Sequence, residues 1–376
     1  MTDAMPEAPE MTGQSHPASW PAVAAECQAV RERVALFDQS AFAKFIVEGP
    51  DSLALLDELS TARIDVPLGK VVYTPWCNDR GGIETDVTVT RVSLDQFLVV
   101  DTPESHEHDL DGLKQAGHNL DVTLSDITDH WACIGLSGPK SRFVLASLTE
   151  AALSNTSFPF STSQRIDVAG FDVLALRESR VGELGWELYL PNEHAEELRE
   201  ALEAAGKAHG LVLAGDQAME VLRLESGYVR WGVDVTADDT PLEAGLESAV
   251  SWDKPNPWHG RAALEHQSGK PRNKALARIR LDQPKTLCHR DDQILCDGEP
   301  VGSVTSATWS YVEDRCLAMG YLQRRGSVGV NQDWLSTGKF EVVVSGEQDS
   351  ARIPITVSLR SFYDPGDRRV HLADGP

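Results

Sequence analysis

FIVEGPDSLALLDEL, residues 45–59, and IGLSGPKSRFVLASL, residues 134–148, decide the fold. Each runs from apolar, strand-like residues through a Gly-Pro turn into a helical pattern, and a unit met twice in one chain predicts an internal duplication. Working outward, WPAVAAECQAVRERVALF (20–37) places Val23, Cys27, Val30, Val34 and Phe37 at three- and four-residue intervals, predicting one amphipathic helix. Asp51 and Ser52 fit the N-terminal cap of the helix after the first Gly-Pro turn. Next, Gly81 and Gly82 feed a strand pair at 83–92 and 96–101, the first alternating as Ile-Glu-Thr-Asp-Val-Thr-Val-Thr.

Beyond the second Gly-Pro turn, FDVLALRESRVGELGWELYLP (171–191) reads as a hairpin and EHAEELREALEAAGKAHG (193–210) as a helix with Gly206 and Gly210 near its end. A further helix, GDQAMEVLRLESGYV, ends around Gly227. HQSGKPRNK (266–274) reads as a linker. The short β-rich runs after it, among them ALARIRL, VGSVTSATW and FEVVV, suit a small barrel or sandwich. The expected organisation is a disordered tail at 1–19, an α+β catalytic region at 20–268 and a C-terminal β domain at 276–376.

A net charge of −24 repels phosphate backbones and anionic membranes, which argues against nucleic-acid and lipid partners. The six cysteines form no CxxC pair and sit at no zinc-ligand spacing, so free thiols in a reducing compartment and no protein metal site are expected. The polar, acidic N-terminus lacks the pattern of a secretory signal, and no apolar run suits a membrane helix, so the expected location is the cytoplasm.

Candidate chemistry gathers at Tyr73 and Asp86, which flank the glycine turn, at Glu187 in GWELYLP, and at Arg223 in VLRLES. Singly, each has a bland account: Asp86 and Glu187 as solvated strand charges, Arg223 as a snorkelling surface arginine. Trp76 and Trp186 suit either an aromatic box for a methylated cation or ordinary core packing. Cys77 lies near the turn with no base to activate it, and is read as buried.

The stretches LGKVVYTPWCNDRGGIETDVTVTR (68–91), GELGWELYLP (182–191), LRLESGYVRWGVDVTADDTPLEAGL (222–246) and PVGSVTSATWSYVEDRCLAMGYL (300–322) together resemble the glycine-cleavage T-protein family of tetrahydrofolate-dependent transferases. The version here is most similar to the folate-binding half of dimethylglycine and sarcosine dehydrogenases, without a flavin-binding GxGxxG leading the chain. The resemblance implies an α+β, three-domain ring of two ferredoxin-like domains and a β-barrel, with tetrahydrofolate at its centre. By motif it implies Asp86 as the catalytic aspartate, Tyr73 lining the folate site, Glu187 holding the pterin ring, Arg223 nearby holding that carboxylate or a substrate acid, and Trp231 as a further lining residue.

Those residue types suit the chemistry: a carboxylate accepts the adjacent N–H donors of a pterin, and a positioned aspartate accepts a proton as a folate nitrogen gains its carbon. The expected function is a stand-alone demethylase that moves a methyl group from a small N-, S- or O-methylated donor to tetrahydrofolate. The alternatives are aminomethyl or methylene transfer, as a T-protein or beside a separate oxidase partner, and folate binding without turnover. Oligomeric state is left open.

Overall fold

The computed structural model describes residues 20–324, 326, 328–345 and 350–373; the expected tail at 1–19 lies outside them. Helix α1 (Trp20–Glu32) and strand β1 (Val34–Asp38) precede β2 (Ala43–Glu48), α2 (Ser52–Leu59), β3 (Val71–Cys77), β4 (Ile83–Arg91), β5 (Gln96–Asp101), α3 (His106–Gly117) and β6 (Thr123–Asp126). Then come β7 (Trp131–Ser137), α4 (Ser141–Ala146), β8 (Thr162–Val168), β9 (Phe171–Arg177), β10 (Gly185–Pro191), α5 (Ala195–Gly206), β11 (Leu211–Ala214) and α6 (Asp216–Glu225). After the short helices α7 (Pro241–Ala244) and α8 (Arg261–Ser268), β12 (Lys274–Leu281), β13 (Gln293–Cys296), β14 (Glu299–Ser310), β15 (Arg315–Gln323), β16 (Phe340–Ser345) and β17 (Ser350–Ser358) close a barrel, with α9 (Gln332–Thr337) beside it.

The duplication is visible in the strand orders. The first sheet runs β3-β4-β5-β2-β6 and the second, read from its far edge, β8-β9-β10-β7-β1-β11. Matching β2 through β6 with β7 through β11 makes the orders identical, except that β1 is inserted between β7 and β11. The repeated Gly-Pro turn has one conformation in both copies: φ is +128° at Gly49 and +127° at Gly138. A Cβ there would sit 2.4 Å from Asp121 O and 2.6 Å from Arg33 O, so both positions require glycine.

That inserted strand corrects the expectation of one helix over 20–37. The helix ends at Glu32, and Val34 and Phe37 lie in β1, paired parallel with β11 and antiparallel with β7. The run Val34–Phe37 is buried at every position, and a short continuous apolar run satisfies helical and buried-strand patterns alike. The expected Asp51 cap is also not formed: its carboxylate accepts from Asp121 N at 2.8 Å, while Ser52 Oγ donates to Asp95 O at 3.1 Å. The linker reading is shortened, because α8 runs to Ser268 and β12 starts at Lys274.

Three apolar clusters join the units in a ring. Val71, Leu98 and Val100 of the first sheet pack on Cys133, Leu174, Leu176 and Tyr189 of the second. Ile83 at the start of β4 packs with Leu224 and with Leu276, Leu317 and Met319 of the barrel. On the third side, α1 and α6 pack with Tyr311 next to the barrel. Each unit therefore touches the other two.

Candidate functional site

Alternation along the strands puts the predicted acids on facing surfaces. In β4, Val87 and Val89 pack toward α2 and α3, so Asp86 points the other way. Tyr73 shares its face with Val71, which packs against the second sheet. In β10, Trp186, Leu188 and Leu190 enter the core under α4 and α5, which turns Glu187 and Tyr189 toward the first sheet. The Gly81–Gly82 turn sets this hairpin close to the chain around 237: a Cβ on Gly82 would lie 1.9 Å from Ala237 O. Asp86 is the fourth residue of β4.

Tyr73 and Asp86 meet directly, the phenol donating to Asp86 Oδ2 at 2.7 Å. Tyr73 is 40% exposed, yet the surroundings withhold enough solvation to push the Asp86 carboxyl up to about 7. Burial is the main cause, followed by the charge of Asp101; the Tyr73 hydrogen bond and Arg180 act in the opposite direction, and Asp234 adds to the rise. Burial and the neighbouring Asp86 raise the Tyr73 phenol well above its usual range. Accessible side chains that are poorly solvated mark a recess within the ring. Groups from the first sheet, from the loop after β9 and from the segment docked on the barrel all act on Asp86.

Glu187 is 4% exposed, so the reading as a solvated strand charge does not hold. Arg180 Nε donates to its Oε1 at 2.9 Å and Tyr189 Oη to its Oε2 at 2.6 Å, while the guanidinium stacks over Phe42 at 4.2 Å. Arg223 does not hold this carboxylate, and that expectation is corrected. It is 6% exposed rather than snorkelling, and it pairs with Glu220 and Asp234 and donates to Tyr228 O at 3.1 Å. Asp234 also accepts from Thr305 Oγ1 at 2.7 Å and Ser306 Oγ at 2.5 Å, so Arg223 ties α6 to the barrel. A helical Arg three residues after Glu220 has its nearest partner on its own helix, which takes it away from Glu187.

Trp231 lies against the start of β4, its indole N–H donating to Ile83 O at 2.8 Å and its ring stacked on His108. It makes no hydrogen bond with Tyr73, Asp86 or Glu187. Trp76 and Trp186 belong to separate cores, so they form no aromatic box. Burial pushes the Cys77 thiol up to about 12, in keeping with an inert buried cysteine.

Several residues escaped the sequence reading. Tyr189 was findable, since it lies two residues from Glu187 and so on the same strand face. Arg180 sits in a loop, where alternation says nothing. Glu178 continues the face of Leu174 and Leu176, and burial, then the Glu187 charge, pushes its carboxyl up to about 8. A cleft of about 750 Å3 between α1 and the barrel, lined by Trp20, Arg31, Tyr311 and Tyr363, includes none of these groups. Among the described residues no cluster of His, Cys, Asp and Glu could hold a metal ion, and no helix is long and apolar enough to cross a membrane.

Two duplicated α+β units and a closed barrel, joined in a ring, define the three-part fold of the aminomethyltransferase T type. The solved aminomethyltransferase T of the glycine cleavage system from Bartonella henselae has this fold, with TM-score 0.75 over 89% of this chain and 88% of that one at 24% identity. The chain belongs to the glycine cleavage T-protein family. The GCVT N-terminal domain matches residues 6–254, and the glycine cleavage T-protein C-terminal barrel domain matches residues 274–364.

Among curated relatives, the chain is 36% identical over 93% of its length to 4-methylaminobutanoate oxidase (formaldehyde-forming) of Paenarthrobacter nicotinovorans, covering 41% of that protein. It is 34% identical over 92% of its length to human mitochondrial sarcosine dehydrogenase, covering 39% of it. An aminomethyltransferase from Halothermothrix orenii is 32% identical, with 84% of this chain and 87% of that protein covered. The chain thus spans about two fifths of the oxidase and dehydrogenase relatives and nearly the whole of the transferase.

Proposed function

We propose that the chain is a tetrahydrofolate-dependent one-carbon transferase that takes its carbon from a small methylated compound. The observation that carries this reading is Asp86: a partly buried carboxyl pushed up to about 7, hydrogen-bonded to the exposed Tyr73 and acted on by Arg180, the partner of Glu187. A group poised near neutrality can accept and release a proton at working pH, which is what general-base help requires.

The residues present fit a pterin. Each Glu187 oxygen accepts one protein hydrogen bond and keeps a lone pair for an adjacent N–H donor, and the Arg180–Tyr189 pair fixes the direction of that lone pair. Tyr73 offers an accessible ring beside Asp86 for a flat ligand. Arg223 and Trp231 serve as supports, the first through Asp234 and the barrel, the second through the start of β4. Tetrahydrofolate, when bound, supplies the nitrogen that receives the carbon. Asp86 takes the proton this nitrogen gives up as its new bond forms, and the donor heteroatom leaves with the electron pair of the broken bond. Holding the two reactants together supplies more than the base does, since effective molarities reach about 10⁵ M and above.

The first reading is transfer of the methyl group itself. The second, passage of an already oxidised carbon from an amine oxidase partner, is favoured by the oxidase and dehydrogenase relatives. Turnover is preferred to mere folate binding because a passive site has no need of a carboxyl held near neutrality. The net charge of −24 argues against nucleic-acid and anionic-membrane partners, and the buried free thiols support a reducing, cytoplasmic setting.

Mass spectrometry of the folate product tests these readings. The purified chain is incubated anaerobically with tetrahydrofolate and sarcosine, dimethylglycine, 4-methylaminobutanoate, glycine betaine, dimethylsulfoniopropionate or vanillate. 5-Methyl-tetrahydrofolate from one donor establishes direct methyl transfer. 5,10-Methylene-tetrahydrofolate formed only when an amine oxidase is added establishes the second reading. Absence of both products, with folate bound, overturns direct methyl transfer and leaves aminomethyl transfer from a carrier, or folate binding without turnover, as the reading.

A further inference from the structure

Behind Asp86, on the opposite face of its sheet, lies a pair of acids for which the transfer itself has no use. Thr85 and Asp101 point from β4 and β5 toward α3, and Asp109 meets them from that helix's first turn. Asp101 and Asp109 are each 2% exposed. Thr85 Oγ1 lies 2.5 Å from Asp101 Oδ2 and 3.3 Å from Asp109 Oδ2, so one hydroxyl sits between the two carboxyl groups. Asp101 Oδ1 is occupied, accepting from Thr102 N.

Three oxygens linked in this way need two protons, and the threonine hydroxyl brings only one. The second has to be a carboxyl proton, so the pair carries one negative charge rather than two. Asp109 Oδ1 faces His108 Nδ1 at 3.0 Å, and His108 is half-exposed, with Glu84 3.8 Å from its other nitrogen. Together with Thr85 and Asp109 these side chains line a cavity of about 220 Å3.

We propose that Asp101 and Asp109 are positioning residues for Asp86: a one-proton pair whose single negative charge, acting through the sheet, makes Asp86 a stronger base than its recess alone would. Burial is the larger influence on Asp86 and the Asp101 charge the second; Tyr73 from β3 and Arg180 from the loop after β9 oppose them, and Asp234 adds to them. Within the pair, burial raises both acids, and Asp86 raises Asp109 in return. The proposal rests on the reading of Asp86 as a proton acceptor, but the coupling itself is measurable without folate or donor.

Carbon-13 titration of labelled aspartate side chains in the full chain tests it, with D86N used to assign the Asp86 signal. In D101N, Asp109 keeps the one charge and the Asp86 midpoint stays near the wild-type value. In D101N/D109N no charge is left, each Asn retains the shape and a hydrogen bond, and the midpoint falls by about 1 on the pH scale. A folded double variant with an unmoved Asp86 midpoint overturns the proposal. So does a wild-type titration in which both Asp101 and Asp109 are ionised well below neutral pH, a result that does not depend on the double variant folding. If the midpoint moves as expected while the wild type transfers no carbon to folate, the coupling stands and the transferase reading falls.

Discussion

The two halves of the ring share a strand order but arm their facing surfaces in opposite ways. On the first sheet, Asp86 has a neutral phenol as its hydrogen-bond partner and acids around it, and its carboxyl is pushed up to about 7. On the second, Glu187 has a guanidinium at 2.9 Å and a phenol at 2.6 Å, and is buried by the strands on either side. Duplication gave two similar scaffolds. On the proposed reading, what surrounds one acid on each separates a group that exchanges a proton from a group that holds a ligand still.

The largest expected break in that comparison is D86N. It keeps the size of the side chain and its contact with Tyr73 but cannot take a proton. Turnover should fall by about 10² to 10⁴-fold, the usual contribution of a general base, while folate affinity stays within a few-fold. Single-turnover rates and equilibrium dialysis read the two quantities separately. A loss confined to affinity would move Asp86 to the ligand-holding side.

The same substitution should raise stability, with a defined pH dependence. The Asp86 carboxyl goes from its ordinary 3.8 to about 7 on folding, so between those values the unfolded chain has shed a proton that the folded chain retains. Rising pH therefore costs wild-type stability across that window, and the cost levels off above about 7. D86N escapes it, and denaturant unfolding should find the variant more stable by roughly 2 to 4 kcal/mol at mildly alkaline pH, with no difference near pH 4. A pH-independent difference would refute the burial of this acid.

How much of this was legible in the chain follows from what each signal encodes. The Gly-Pro repeat and the alternation from Ile83 are local patterns, and both duplication and strand follow from them. The insertion of β1 was hidden because VALF is apolar at every position, and only its pairing with β7 and β11 tells strand from helix. Asp86, Tyr73 and Glu187 were singled out by motif. The partner of Glu187 was not, because Arg180 lies on a loop whose course depends on tertiary packing. That Arg223 pairs with Asp234 and not with Glu187 was hidden too, because that choice is made by the docking of the barrel.

A smaller effect is expected from E187Q, which probes the second surface. Arg180 would lose its ionised partner while keeping a hydrogen-bond acceptor, and the site would lose one charge-assisted contact to the ligand. Folate affinity should weaken by about 10- to 100-fold, with little change in the rate constant at saturating folate. The sharper contrast is with D86N, which should show the reverse split. Equal losses in rate and affinity for both variants would mean that the two surfaces act as one site with no division of labour.

The finest test is Y73F, which removes only the hydroxyl that donates to Asp86 at 2.7 Å. That hydrogen bond favours the ionised carboxylate and so holds Asp86 lower than burial and Asp101 would otherwise leave it. Without it the carboxyl rises further, and the alkaline-going limb of the pH–rate profile should move up by about 0.5 to 1 on the pH scale. At neutral pH the variant is then a few-fold slower, and it recovers most of the wild-type rate about one pH step higher. A deficit that persists at high pH would instead assign Tyr73 to ligand contact, because a lost contact is not restored by deprotonating its neighbour. An unmoved limb would mean that the phenol leaves Asp86 untuned, and burial together with the acids behind the sheet would be left as the controls on this base.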